Sequence, residues 1–159
     1  METILLETII NAPIEVCFDT ARSIDMHLES MHHTGERAIA GRTSGYIGAG
    51  ETVTWRARHL GIPFRMKVRI TACQPYFLFT DEMERGPFKK MKHQHYFEET
   101  LAGVRMRDIF FFESPCGWIG KLVDRYILAP YLLKLLLRRN EVLKATAERN
   151  AIAAMARVS

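Results

Sequence analysis

The sequence predicts an α+β fold: a curved seven-stranded antiparallel sheet wrapped around a long C-terminal helix, with two short helices after the first strand. Three observations carry that prediction. Phe64, Met66, Val68 and Ile70 alternate with Arg65, Lys67 and Arg69, the period of a strand with one buried face. Turn residues divide the segment 36–113 into strands that follow one another directly, as in an antiparallel meander. From Trp118 to about residue 156 the apolar period becomes helical.

The elements follow in order. Residues 2–10, rich in Ile, Leu and Thr, read as the first strand. Asn11, Ala12 and Pro13 stop it. Pro13 suits the first turn of a short helix, Glu15 favours its N-terminus, and Val16, Cys17 and Phe18 face inward. Residues 19–30 read as a second short helix, which Ser23 can cap. Six strands follow, over residues 36–43, 51–60, 64–70, 76–84, 90–98 and 104–112. The glycine-rich stretch 44–50, Gly61–Pro63, Gln74–Pro75, Arg85–Pro87 and Ala102–Gly103 separate them. Ser114–Gly117 ends the sheet. In the C-terminal helix Ile119, Leu122, Tyr126, Leu133, Leu136, Leu137, Leu143 and Ala147 fall on one broad stripe, and Pro130 is expected to kink or split it. One apolar sheet face needs one cover, and only this helix is long enough.

A chain of 159 residues reads as one domain over 1–159. Its formal net charge of +4 is spread along outer strand faces, without stacking aromatics between the cations, so no nucleic-acid partner is expected. The three cysteines Cys17, Cys73 and Cys116 lack CxxC spacing. They read as small buried apolar residues in a reducing, cytoplasmic setting. The N-terminus has acids and no basic leader region, and so reads as a strand rather than a signal peptide. The most apolar run, 126–137, is interrupted by Pro130 and Lys134 and is too short for an integral membrane segment.

The segment 91–112 carries the functional signal. Met91, His93, His95 and Phe97 share one strand face, and Val104, Met106, Asp108, Phe110 and Phe112 share the next. Histidines and an aspartate among Met and Phe on a concave face suggest a lined pocket. The inward faces add Trp55, His59, Asp81 and Met83, and the helix adds Tyr131 and Asn140. Together with Met106 and Phe110 these form the candidate ligand-binding set. Arg138 and Arg139 are expected to be solvated, and His27, His32 and His33 to sit in a surface cluster or at a cavity mouth.

Three readings of the polar groups compete. They anchor the polar end of a ligand in an apolar pocket. They satisfy one another as buried His–Asp pairs with no ligand. Or they do chemistry, with a His oriented by Asp as general base. His-x-His with one carboxylate is a weak metal signature, and neither metal nor cofactor is expected.

Several stretches resemble the START and birch-pollen-allergen superfamily, also called SRPBCC, and within it a bacterial subfamily of ligand-binding proteins. They are residues 51–62 (ETVTWRARHLGI), Phe79-Thr-Asp-Glu-Met83 followed by Gly86-Pro-Phe88, His93-Gln-His-Tyr-Phe97, Met106-Arg-Asp108, and Arg138-Arg-Asn140 before Leu143-Lys144. The resemblance implies a helix-grip fold with a deep cavity between sheet and C-terminal helix. It implies no shared set of catalytic residues, because the superfamily spans lipid carriers, hormone receptors, polyketide cyclases and chaperone regulators. The expected activity is binding of a small apolar or amphiphilic molecule. The alternatives are a polyketide-cyclase-like or lyase enzyme with a His–Asp general base, and an interaction module without ligand. The outer basic faces are candidates for a homodimer contact.

Overall fold

A computed structural model describes residues 1–156. Strand β1 (Glu2–Ile10) leads into helices α1 (Ile14–Ala21) and α2 (Ile24–Met31) and a 3₁₀ turn, His32–Thr34. Six strands follow: β2 (Arg37–Gly41), β3 (Thr52–His59), β4 (Ile62–Gln74), β5 (Leu78–Arg85), β6 (Lys90–Thr100) and β7 (Gly103–Glu113). Helix α3 (Gly117–Val123) continues through a π-helical turn, Asp124–Leu128, into α4 (Ala129–Ala156). The sheet is antiparallel with strand order β1-β7-β6-β5-β4-β3-β2, so the meander closes back on the first strand. This is the α+β helix-grip architecture that the alternation pattern predicts.

Local chemistry sets the element ends. Ser23 Oγ accepts from the Met26 N–H at 3.2 Å, the expected cap of α2. The β3–β4 turn is shorter than Gly61–Pro63 suggests. Leu60 and Gly61 both have positive φ (51° and 79°), which makes a two-residue hairpin. Pro63 therefore falls inside β4, opposite Arg58. The β4–β5 pairing shifts register between Lys67 and Val68 and again between Ile70 and Ala72. Such irregularities bend a sheet and help it curl around a helix.

The C-terminal helix departs most from expectation. Ile119, Leu122, Tyr126, Leu133 and Leu137 are exposed. The buried stripe is Leu135, Leu136, Arg139, Asn140, Leu143, Ala147 and Ala151. The wider ring of the π-helical turn changes the phase between α3 and α4, which turns Ile119, Leu122 and Tyr126 away from the α4 stripe, whereas Leu133 and Leu137 lie on α4 itself, at the side of the stripe. The turn lies just ahead of Pro130, whose missing N–H removes a helical hydrogen bond there. Asp124 anchors the turn by accepting the Ser114 N–H at 2.9 Å. Cys17 is buried as expected, Cys73 is half-buried, and Cys116 is exposed in a left-handed conformation (φ 75°) that starts α3.

The buried apolar residues form two clusters. One gathers Ile4, Val53, Trp55, Ile70, Met91, Phe110, Phe112 and Leu136. The other gathers Ile10, Phe18, Phe79, Phe97, Val104, Met106, Leu143 and Ala147. Aromatic rings tie the second together: Phe18 meets Phe79 and Phe97 edge-on at 5.8 and 5.4 Å.

Candidate functional site

A band of polar side chains separates the two clusters, and each element contributes at its crossing point. β1 passes from Ile4 through Thr8 to Ile10. β5 passes from Met83 through Asp81 to Phe79, and β6 from Met91 through His93 and His95 to Phe97. β7 passes from Phe110 through Asp108 to Met106, and α4 from Leu136 through Arg139 and Asn140 to Leu143. Period two on the strands and periods three and four on the helix bring these residues to one level.

Asp108 is the hub of the band and is fully buried. Its Oδ1 accepts from His93 Nε2 at 3.0 Å and lies 2.7 Å from His95 Nδ1, a close contact outside hydrogen-bond angles. Its Oδ2 accepts from Asn140 Nδ2 at 2.6 Å. Asn140 also donates to Thr8 Oγ1 at 3.2 Å. Arg139 Nη1 stands 3.8 Å from Asp108, and the guanidinium donates to Asn140 Oδ1 and to the Ala21 carbonyl. On the other side His95 Nε2 is 3.2 Å from Asp81 Oδ1. The ring of His95 stacks on Phe79 at 4.1 Å and lies 3.8 Å from the ring of His93.

Electrostatics follow from this packing. Burial, with the neighbouring His95, pushes His93 down to about 4, so its imidazole is neutral near pH 7. Burial pushes Asp108 up, but the hydrogen bond from His93 and the close His95 ring outweigh it and hold the carboxyl well below its ordinary range. Burial likewise raises Asp81, and His95, His93 and Arg139 together reverse the shift. Both carboxylates are therefore ionised inside the fold.

Above this band, between the concave sheet and α3–α4, lies a cavity of about 570 Å³. Trp55, Phe110, Met91, Val68 and Leu136 give it apolar walls, and Asp81, His93, His95 and Arg139 reach it from the polar band. Its outer end is lined by Leu60, Ile62, Ile119 and Ile127, all exposed. There His59 Nδ1 lies 2.9 Å from Tyr131 Oη, tying the β3–β4 turn to α4. His27 stacks on Trp55 at 4.3 Å and points Nε2 to Glu36 Oε2 at 3.4 Å.

The structure sorts the candidate set. Trp55, His59, Asp81, His93, His95, Phe110 and Tyr131 line the cavity. Asp108 and Asn140 do not line the cavity and lie behind His93, His95 and Arg139, which do. Met106 lies on the far side of the polar band, fully buried in the second cluster. Met83 packs against the first cluster from its edge, beside Met66 and Gly86. Arg139 is the main correction: it is buried, because it sits three residues after Leu136 and four before Leu143 on the inward stripe. His27 is likewise a wall residue between buried Ile24 and Met31, whereas His32 and His33 are exposed. In both cases helical spacing was the available signal.

No family model and no curated protein matches the chain. Solved structures do. TTHA0849 from Thermus thermophilus is 18% identical with TM-score 0.64, over 96% of this chain and 99% of that one. The ginseng major latex-like protein 151 from Panax ginseng is 16% identical with TM-score 0.65, over 91% and 95%. Ara h 8.0201 is 13% identical with TM-score 0.59, over 89% and 97%. Likeness at these identities is likeness of fold: the chain shares the helix-grip fold of these proteins.

Proposed function

We propose that the protein binds a small apolar or amphiphilic molecule in the cavity between the sheet and α4. The supporting observation is the distribution of chemistry: apolar walls along the cavity, with Asp81, His93, His95 and Arg139 gathered at its inner end. A volume of about 570 Å³ falls within the range of roughly 300–1,000 Å³ typical of small-molecule sites. An apolar body would lie against Trp55, Phe110 and Leu136, and a polar end would meet the band. The unfilled volume weighs against a pure interaction module, whose interior needs no such space. The test is native mass spectrometry after exposure to lipid and metabolite extracts. A retained species of defined mass is expected, and its absence across extracts would overturn the reading.

A second reading, chemistry at the same end, rests on one observation. His93 is neutral and has Nε2 held by Asp108, the arrangement of an oriented general base. It predicts turnover of the retained species that is lost in His93→Gln with binding kept. Binding without turnover in the wild type would leave anchoring as the function.

The free cysteines and the absence of any helix long and apolar enough to cross a membrane, among the described residues, fit a reducing cytoplasmic setting.

A further inference from the structure

We propose that Asp81, His93 and His95 form a binding site for one divalent first-row transition-metal ion, of the kind that prefers imidazole, at the inner end of the cavity. One potential ligand atom from each residue lies within 4.8 Å of the other two. The placement is built into the sheet. His93 and His95 share a face of β6, and Asp81 is the register partner of His93 on β5. Ligand atoms at roughly 2.0–2.2 Å from an ion lie at most about 4.4 Å apart. Seating one therefore needs a closing movement of several tenths of an ångström, within reach of side-chain torsions.

Two features favour an ion over three merely adjacent side chains. The first is the shell behind the histidines. Asp108 Oδ1 approaches one nitrogen of each ring, Nε2 of His93 and Nδ1 of His95, at 3.0 and 2.7 Å. Metal-bound histidines usually turn their second nitrogen to such a carboxylate. The remaining nitrogens are His93 Nδ1 and His95 Nε2, and the latter already faces Asp81 Oδ1 at 3.2 Å. Asp108 is itself fixed by Asn140 at 2.6 Å. The second feature is access: Asp81, His93 and His95 all line the cavity, so an ion held among them would face its open space.

Two imidazoles and one carboxylate leave coordination positions open toward the cavity. Such three-ligand sets suit Zn²⁺, Fe²⁺ or Co²⁺ with water or a ligand oxygen completing the sphere. The inference does not rest on the ligand-binding reading, because the ion would bind with the cavity otherwise empty.

Co²⁺ and Zn²⁺ are the probes, used on chelator-stripped full-length protein carrying no histidine tag. One equivalent of Co²⁺ is expected to bind with visible d–d absorption. Zn²⁺ should displace it and shift the imidazole ¹⁵N resonances of His93 and His95 but not of exposed His32. The double variant His93→Gln/His95→Gln should lose at least a hundredfold in affinity, and Asp108→Asn about ten- to a hundredfold with unchanged stoichiometry. His32→Gln should bind like the wild type. No saturable binding by the folded wild type overturns the proposal, as does binding that leaves the His93 and His95 resonances unmoved. The resonance measurement decides the matter even where a variant fails to fold.

Discussion

Asp108 stands directly opposite His95 in the β6–β7 pairing, yet it makes its aligned hydrogen bond to His93, one position off along the same face of β6. One carboxylate thus serves two rings, and the rings are held 3.8 Å apart. Removing Asp108 would leave His93 Nε2 without its acceptor in the interior and take from Asn140 the shorter of its two acceptors. Asp108→Ala should cost about 3–5 kcal/mol, the range for breaking a buried charged network from one side. Asp108→Asn keeps an acceptor and should cost less. Urea denaturation of the two variants checks the order. Equal and small losses would mean that the histidines find water instead.

The stability of the fold should also report on buried imidazole. Burial lowers the pKa of His59 from 6.5, His33 adds to the effect, and Glu36 opposes it. Well above pH 6.5 both the folded and the unfolded chains carry this ring unprotonated. As pH falls below that value the unfolded ring takes up its proton first, so stability falls until the folded ring also titrates. His93 acts in the same direction and extends the window down to about 4. The lowered pKa values of Asp81 and Asp108 stabilise the fold above their ordinary value of 3.8, and that contribution is lost only as pH falls below it. Urea midpoints measured between about pH 7.5 and pH 4 should decline, and His59→Gln should flatten the upper part of the curve. A midpoint independent of pH across this range would contradict the burial of both rings.

Much of the polar band was legible in the sequence because strands encode facing in a period of two. His93, His95, Asp108 and Asp81 could be assigned inward from alternation alone. Two things were not encoded locally. Which His meets which Asp depends on register, and Met106 shows the consequence: it shares the face of Asp108 but falls beyond the polar level, inside the second cluster. The phase of the long helix was the other. The π-helical turn at Asp124–Leu128 resets it, so a stripe read across Pro130 points Ile119, Leu122 and Tyr126 inward when they are exposed. Beyond the turn the spacing from Leu136 to Leu143 and Ala147 holds, and that spacing carries Arg139 and Asn140 inward.

The cysteines should differ sharply in reactivity. Burial, with Glu148 nearby, pushes the Cys17 thiol up to about 12. The thiolate is the reactive form, so Cys17 stays inert in the fold. Cys116 is exposed on the loop before α3. A thiol reagent such as an aromatic disulfide at about pH 8 should label Cys116 quickly and Cys17 only on unfolding. Peptide mapping distinguishes the sites, and rapid labelling of Cys17 would show that α1 opens away from α4.

The division of the interior into an open and a filled half makes two insertions behave oppositely. Ala57 faces the cavity from β3, opposite Phe64, whereas Ala147 on α4 is fully buried in the second cluster. Ala57→Leu places its added carbons in open space, so stability should hold or rise while retention of a cavity ligand falls about tenfold or more; a loss of that size is about 1.4 kcal/mol. Ala147→Leu has no space to enter and should cost about 1–3 kcal/mol through displaced neighbours, with ligand retention changed little while the fold survives. Thermal melts and native mass spectrometry of both variants separate the effects. If Ala57→Leu destabilises as much as Ala147→Leu, the space above the polar band is closed in solution. The histidines and Arg139 would then be satisfying one another in a filled interior, with no ligand for them to meet.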